Sequence, residues 1–303
     1  MSIDTDSASS FQLPPEVLEI CKLAEGIVSK ELMPLEAEFL ISPDHAFGVK
    51  ETLNLKAVFG QDTLDHLMKI AKETGLWTLM IPEEFGGAGL SMLSKVAILE
   101  RFYYTAVPFP FANVPNILYD CKGEQIEKYL NPVMNGEKTT CFAQTEPNAG
   151  SDPGGMMQTK AVKDGDDWII NGTKMWISMA AESDVMMVQV VTDAEKRQRG
   201  GITMFLVERN NPGVTVEEPG IQTWLGPRAS QYIVHFDDCR VSKDAILGDL
   251  GNGFRLGQKW LTIHDRLLRG PFALGKMQRA LDMCIAWSKQ RHTFGKALAT
   301  RQA

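Results

Sequence analysis

Positive charge is the first thing this chain is short of. Its 31 Lys and Arg are outnumbered by 38 Asp and Glu, leaving a net charge of −7 and a pI near 5.4. A surface that neutralises phosphates needs the opposite balance, so nucleic acid and anionic membrane are excluded as main partners, while local basic patches stay open. Long apolar runs are missing too. No stretch approaches the ~20 residues that cross a bilayer, and no membrane span is expected. The N-terminus, Met1-Ser2-Ile3-Asp4-Thr5-Asp6, carries acid where targeting segments carry base. That predicts a cytoplasmic location, with the mitochondrial matrix as the alternative for a eukaryotic source. Cysteine is scarce: Cys21, Cys121, Cys141, Cys239 and Cys284 have no paired spacing, so they read as buried thiols, not as zinc ligands or a redox dithiol. No His/Cys/carboxylate cluster has ligand spacing, and no metal is expected.

With 44% hydrophobic residues over 303 positions, the chain exceeds one ordinary core, and two or three domains are expected. From Pro14 onward Val17, Leu18, Cys21, Ala24 and Val28 recur at helical steps behind a proline start. Asp62 to Glu73 repeats the pattern and stops before Gly75, and Lys95 to Phe102 and Gln125 to Leu130 follow. The run Ile81 to Leu90 is too glycine-rich for a regular element and lacks the Lys-Ser/Thr ending of a phosphate-binding loop, so it reads as an interhelical connection. Past Gly136 the period becomes strand-like: Lys160 to Lys163, Trp168 to Ile170, Val185 to Val191, Ile202 to Val207, Val214 to Glu217 and Tyr232 to Phe236. Asp164-Gly165-Asp166 and Asn171-Gly172 read as hairpin turns. Asn252 to Gln290 is helical again, with Gly270-Pro271 as an expected kink. The predicted architecture is therefore α+β and multidomain: a helical domain over 1–135, an antiparallel β-barrel or sandwich over 136–248, and the beginning of a C-terminal helical bundle over 249–303. The chain stops at Ala303 without a closing element and reads as interrupted there.

Two stretches carry the chemistry. Phe142 to Asp152 leaves an apolar run for a loop whose Pro147 and Gly150 forbid regular structure and leave amides and hydroxyls free to bind. A short way downstream, Trp176 offers an aromatic face and Ser178 a hydroxyl on the same side of a strand. A stacking surface beside hydrogen-bond donors suits a flat ring with polar edges, such as a flavin. Taken singly, the loop could be ordinary turn chemistry and the tryptophan ordinary core.

Together they resemble the acyl-CoA dehydrogenase family. Thr145-Glu146-Pro147-Asn148-Ala149-Gly150-Ser151-Asp152 is similar to its signature loop, Trp176-Ile177-Ser178 to its flavin strand, and Pro82 to Gly89 to a loop of its N-terminal domain. The resemblance implies FAD as cofactor and the α,β-dehydrogenation of an acyl-CoA thioester to the trans-2-enoyl-CoA. It would place Phe142, Gln144 and Thr145 along the flavin ring, with Trp176, Ile177 and Ser178 packed beside it. Ser151 and Arg266 match positions that hold the acyl-CoA. Arg291, Thr293 and Phe294, with Gln302, resemble the segment that reaches the FAD diphosphate and adenosine of a neighbouring subunit, implying a homodimer or homotetramer.

The base has two places in the family. Most members carry a glutamate far along the C-terminal bundle; the isovaleryl and long-chain enzymes carry it immediately before the arginine matched by Arg266. Asp265 stands there in this chain, one methylene shorter than glutamate. Its alternative is an i,i+4 pair with Arg269, and His264 is the alternative nearby base. His45, His66 and His235 show no partner pattern and read as surface or core. An electron-transfer flavoprotein is the implied electron acceptor. A related flavin oxidase, or a non-catalytic acyl-CoA-binding or assembly protein, stays open as an alternative function.

Overall fold

The protein is described from a computed structural model that covers residues 12–45, 50–112, 114–223, 231–261 and 265–301, without the Asp265 side chain. In chain order the helices are α1 (Pro15–Ile27), α2 (Glu36–Ile41), α3 (Glu51–Phe59), α4 (Gln61–Glu73), α5 (Met92–Phe102), α6 (Asn131–Asn135), α7 (Pro153–Met156), α8 (Gly253–Lys259) and α9 (Asp265–Gln290). The strands are β1 (Thr140–Ala143), β2 (Lys160–Asp164), β3 (Asp167–Ser178), β4 (Val185–Val191), β5 (Ile202–Glu208), β6 (Val214–Val216), β7 (Gln231–Ser242), β8 (His292–Thr293) and β9 (Lys296–Ala297). The chain divides into two compact units, one of Met1–Ile41, Gly89–Phe109 and Leu267–Ala303, the other of Ser42–Ala88 and Pro110–Arg266.

In the first unit, Pro14 caps α1 and Pro15 takes its first turn, where a missing N–H costs nothing. Val17, Cys21, Ala24 and Val28 are buried as their spacing predicts, whereas Leu18 is exposed. The α1 stripe packs on α5, whose Ser91 side chain accepts the Ser94 amide as N-cap. Glu36 is the polar knot of this unit: its carboxylate accepts from Thr105 Oγ1 at 2.9 Å, Ala106 N at 2.8 Å and Arg279 at 2.9 Å. Burial alone would raise its pKa; these donors outweigh that and hold it below the usual value. Pro271 lies inside α9, which runs on to Gln290, and Leu274, Met277, Leu281 and Ile285 of its apolar stripe are exposed.

The second unit is built on one seven-stranded sheet in the order β1-β4-β2-β3-β7-β6, with β5 on the other side of β4. Most pairings are antiparallel, but β4 runs parallel to β1 and β2. One core, including Trp168, Ile170, Val188, Phe205, Val234 and Phe236, fills the concave side. Another packs Ile117, Leu118, Leu130 and Leu256 from the helical segments against Val185, Met187, Met204 and Leu206. β4 is thus buried on both faces, which is why Val185 to Val191 is apolar at all but one position. The one polar residue inside it, Gln189, is satisfied: it accepts from Gln144 at 2.7 Å and donates to the Gly253 carbonyl at 2.6 Å.

Three local expectations change. Asp164-Gly165-Asp166 does turn the β2–β3 hairpin, with Asp164 opposite Asp167 and Gly165 at φ 63°. Asn171-Gly172 does not turn; it continues β3 opposite a bulge in β7, where Asp237 and Asp238 face Asn171 alone, and Gly172 at φ 148° lets the backbone pass Thr159 so closely that a Cβ would lie 2.6 Å from the Thr159 Cα. The helix foreseen to Leu130 continues to Asn135 and ends at Gly136, whose φ is 80°. The four cysteines at 21, 121, 141 and 239 are buried, but Cys284 is exposed, and all are free. Burial pushes Cys121 and Cys141 up to about 12 and Cys239 to about 11, so these thiols are poor nucleophiles. Among the described residues, no helix is long and apolar enough to cross a membrane.

Candidate functional site

The loop after β1 leaves the sheet because its pairing with β4 ends at Ala143 opposite Val188. Glu146 and Ala149 then exchange both backbone hydrogen bonds at 3.1 Å, closing a turn around Pro147-Asn148. Asp152 caps the four-residue α7 by accepting the Gly155 amide at 3.0 Å, leaving Ser151 exposed just before it. The alternation along the loop start is informative. Gln144 and Glu146 are buried, whereas Thr145 between them is half-buried, and no hydrogen bond among the described residues engages its hydroxyl. Phe142 turns its ring toward Trp260, 6.4 Å between centroids, and Gln144 spends its side chain on Gln189.

The end of β3 meets this loop through the Met175 amide, which donates to the Thr145 carbonyl at 2.9 Å. Between Lys174, paired with Val234, and Ile177, paired with Tyr232, Met175 and Trp176 face a single residue of β7. Trp176 takes the extra position of this bulge at φ 62°, a left-handed backbone that side chains of its size rarely adopt. Its indole is 50% exposed, Ile177 is buried in the concave core, and Ser178 is exposed again. A large aromatic ring held outward by a strained backbone, next to a hydroxyl two residues on, is a surface prepared for a planar partner.

Two residues that the sequence reading passed over hold this arrangement. Lys174 is 0% exposed, and its ammonium donates to the Glu146 carboxylate at 2.9 Å and the Gln144 carbonyl at 3.0 Å. Glu146 also accepts the amides of Gln158 at 2.6 Å and Thr159 at 3.0 Å. Burial pulls Lys174 down to about 8 against the attraction of Glu146. Burial would raise Glu146, but the Lys174 charge and these donors hold it below the usual carboxylate range. A signal did exist: Lys174 shares the inward parity of Trp168 and Ile170, and a lysine there requires a buried carboxylate.

The remaining candidates are placed as follows. Arg266 is exposed at the start of α9, and Gln302, His264 and the Asp265 side chain lie outside the described residues. In the first unit, Arg291 is exposed after α9, and the β8–β9 hairpin turns through Phe294 and Gly295 at φ 49° and 74°. Phe294 is 96% exposed, with the Arg301 guanidinium 5.3 Å from its ring centroid and a further Arg301 bond to Thr293 Oγ1 at 3.2 Å. His235, which reads from the sequence as a surface or core histidine, is half-buried in β7 and bridges Thr173 of β3 at 3.1 Å and Glu217, just past β6, at 2.6 Å. A cleft of about 1010 Å³ in the second unit, lined by Lys122, Lys128, Glu208 and Asp249 among others, shares no residue with the loop or the bulge. Four of its charges are paired, Lys122 with Asp249 and Lys128 with Glu208, each at 2.8 Å. Among the described residues, no group of three or more His, Cys, Asp or Glu could hold a metal ion.

Comparison with known proteins agrees across the chain. Residues 45–137, 141–239 and 251–303 match the N-terminal, middle and C-terminal domains of acyl-CoA dehydrogenase. The mitochondrial short-chain specific acyl-CoA dehydrogenase of Rattus norvegicus is 32% identical over 301 residues, covering 97% of this chain and 68% of the rat protein. Subunit CarC of the caffeyl-CoA reductase-Etf complex of Acetobacterium woodii is 36% identical over 253 residues, 81% of this chain and 64% of that subunit. Among solved structures, butyryl-CoA dehydrogenase from Megasphaera elsdenii superposes with a TM-score of 0.72 at 28% identity, over 96% of this chain and 73% of that one. A helical N-terminal part, a middle β half-barrel and the start of a C-terminal helical part, with these matches in order, make the chain a member of the acyl-CoA dehydrogenase family of oxidoreductases.

Proposed function

We propose that the protein is an FAD-dependent acyl-CoA dehydrogenase that converts an acyl-CoA thioester to the trans-2-enoyl-CoA, with its domains divided at 135/136 and 248/249. The observation that carries this reading is Trp176: a half-exposed indole in a left-handed bulge, next to exposed Ser178 and tied through Met175 to Thr145. The residues fit a flavin, since the indole offers a stacking face while Thr145 and Ser178 offer hydroxyls for a polar edge.

Bound FAD would supply the acceptor for the substrate β-hydrogen as hydride. The chain's part is positioning and proton transfer. Trp176 would form the wall behind the ring, with Ile177, Phe142 and Gln144 contributing backbone alone, because the Ile177 side chain is buried in the core and the other two are engaged with Trp260 and Gln189. Ser151 and Arg266, both exposed, would meet the acyl-CoA. Asp265 would take the α-proton, with exclusion of water raising its basicity. Arg291, Thr293, Phe294 and Gln302 would reach the cofactor of a neighbouring subunit; an aromatic ring 96% exposed at a hairpin tip supports a contact beyond the chain itself and so a homodimer or homotetramer. An electron-transfer flavoprotein as acceptor is supported by the similarity to a subunit of an Etf complex. The proposed location is cytoplasmic, with the mitochondrial matrix as the alternative for a eukaryotic source.

The test is flavin absorbance of the purified protein, followed by anaerobic bleaching with a panel of acyl-CoA thioesters. Trp176→Ala combined with Ser178→Ala is expected to strip most of the flavin. Undiminished occupancy in that variant would remove the basis of the site.

A further inference from the structure

We propose that Lys174 is the positioning residue of this site, a buried ammonium that sets the signature loop and the tryptophan bulge in register; the inference rests on the flavin reading above. Lys174 grips the loop on both sides of Thr145, at the Gln144 carbonyl and at the Glu146 carboxylate. An extended chain held at two alternate positions must present the one between them the other way. The same lysine lies two residues before Trp176, so one side chain fixes both faces that would hold the ring. Glu146 extends the grip to the lead-in of β2 through Gln158 and Thr159.

Stability alone does not account for the pair. A buried ion pair loses in desolvation much of what it gains in attraction, and apolar or neutral replacements of similar volume are often as stable. What the pair supplies is direction: the ammonium donates to one backbone carbonyl and to the carboxylate, and both carboxylate oxygens accept backbone amides. The loop needs such an anchor, because its backbone has left the ladder with β4 at Ala143.

The experiment compares the full chain with Lys174→Met and with Lys174→Met combined with Glu146→Gln. The single variant leaves a buried carboxylate unpaired and is expected to unfold readily; the double variant removes that charge and restores the unfolding midpoint. Hydrogen exchange of the Thr159 and Met175 amides is read in both, together with FAD affinity and the visible circular dichroism of bound flavin. In the double variant the Met175 amide is expected to lose protection while core strands keep it, FAD to bind at least about tenfold more weakly, and the flavin dichroism to change at saturation. Restored midpoint with wild-type exchange, affinity and dichroism would overturn the proposal and leave the pair a stability element. Should the parent protein bind no FAD, the flavin reading fails; the exchange comparison still decides whether Lys174 orders the loop.

Discussion

Two tryptophans share β3, and the structure assigns them opposite consequences. Trp168 is buried at the start of the strand, stacked edge-on to Phe205 at 5.8 Å; Trp176 is half-exposed near its end at φ 62°. Consider Trp176→Gly. Relief of the left-handed strain returns about 1–2 kcal/mol, and the entropy of a new glycine costs about 0.5–1 kcal/mol. Losing half of the ~200 Å² that a tryptophan can bury costs at most about 2.5 kcal/mol. The net is a loss of at most about 1–2.5 kcal/mol. Trp168→Ala, by contrast, opens a cavity in the concave core and should cost about 3–5 kcal/mol. Their order reverses for cofactor. Removing a stacking partner is worth about 1–3 kcal/mol, so Trp176→Gly should weaken FAD binding roughly five- to 150-fold, whereas folded Trp168→Ala should bind nearly as the parent does. Urea unfolding of the apoprotein gives the first comparison and fluorescence titration with FAD the second. The reasoning is refuted if Trp176→Gly unfolds as easily as Trp168→Ala, for then the indole is ordinary core, or if its FAD affinity is unchanged.

Acid should loosen the first unit through Glu36. Its folded pKa lies below the unfolded value of 4.5, so its contribution is complete above that value and lost as pH falls through the folded one. Urea midpoints measured from about pH 6 to about pH 3 should therefore fall more steeply for the parent than for Glu36→Gln, and parallel slopes would contradict the assignment. Asp265→Asn keeps shape while removing basicity. If Asp265 is the base, anaerobic reduction of bound flavin by acyl-CoA thioesters should drop by several orders of magnitude with thioester affinity retained, and near-normal reduction would place the base elsewhere.

The sequence made legible what depends on short-range rules. The proline start of α1, the Gly165 hairpin and the doubly buried β4 all follow from residues within a few positions of one another. It misled where one local signal serves two geometries. Asn-Gly is the strongest hairpin dipeptide, yet here Asn171 reaches across to the Asp238 side chain at 3.1 Å and Gly172 makes room for Thr159. Only the third strand of that corner reveals the difference, and no window along β3 contains it. The same reason hid the Lys174–Glu146 pair, whose members lie 28 positions apart in the chain.

Within the motif itself, sequence specifies some side chains more fully than others. Phe142, Gln144 and Thr145 stood together as candidates, but the pleat separates them: the first two side chains turn to Trp260 and Gln189, and Thr145 alone keeps an unengaged hydroxyl. A matching motif therefore specifies a backbone path before it specifies contacts. Glu146 in this loop and Lys174 on β3, both buried, hold the backbone on either side of Thr145 and so decide where it points. Local strain at Trp176 has the same logic, because a tryptophan persists in a left-handed bulge only where its surroundings fix the backbone more strongly than the strain opposes it. The buried Lys174–Glu146 pair beside it is one such constraint, so weakening the pair should relax the bulge before it unfolds the sheet.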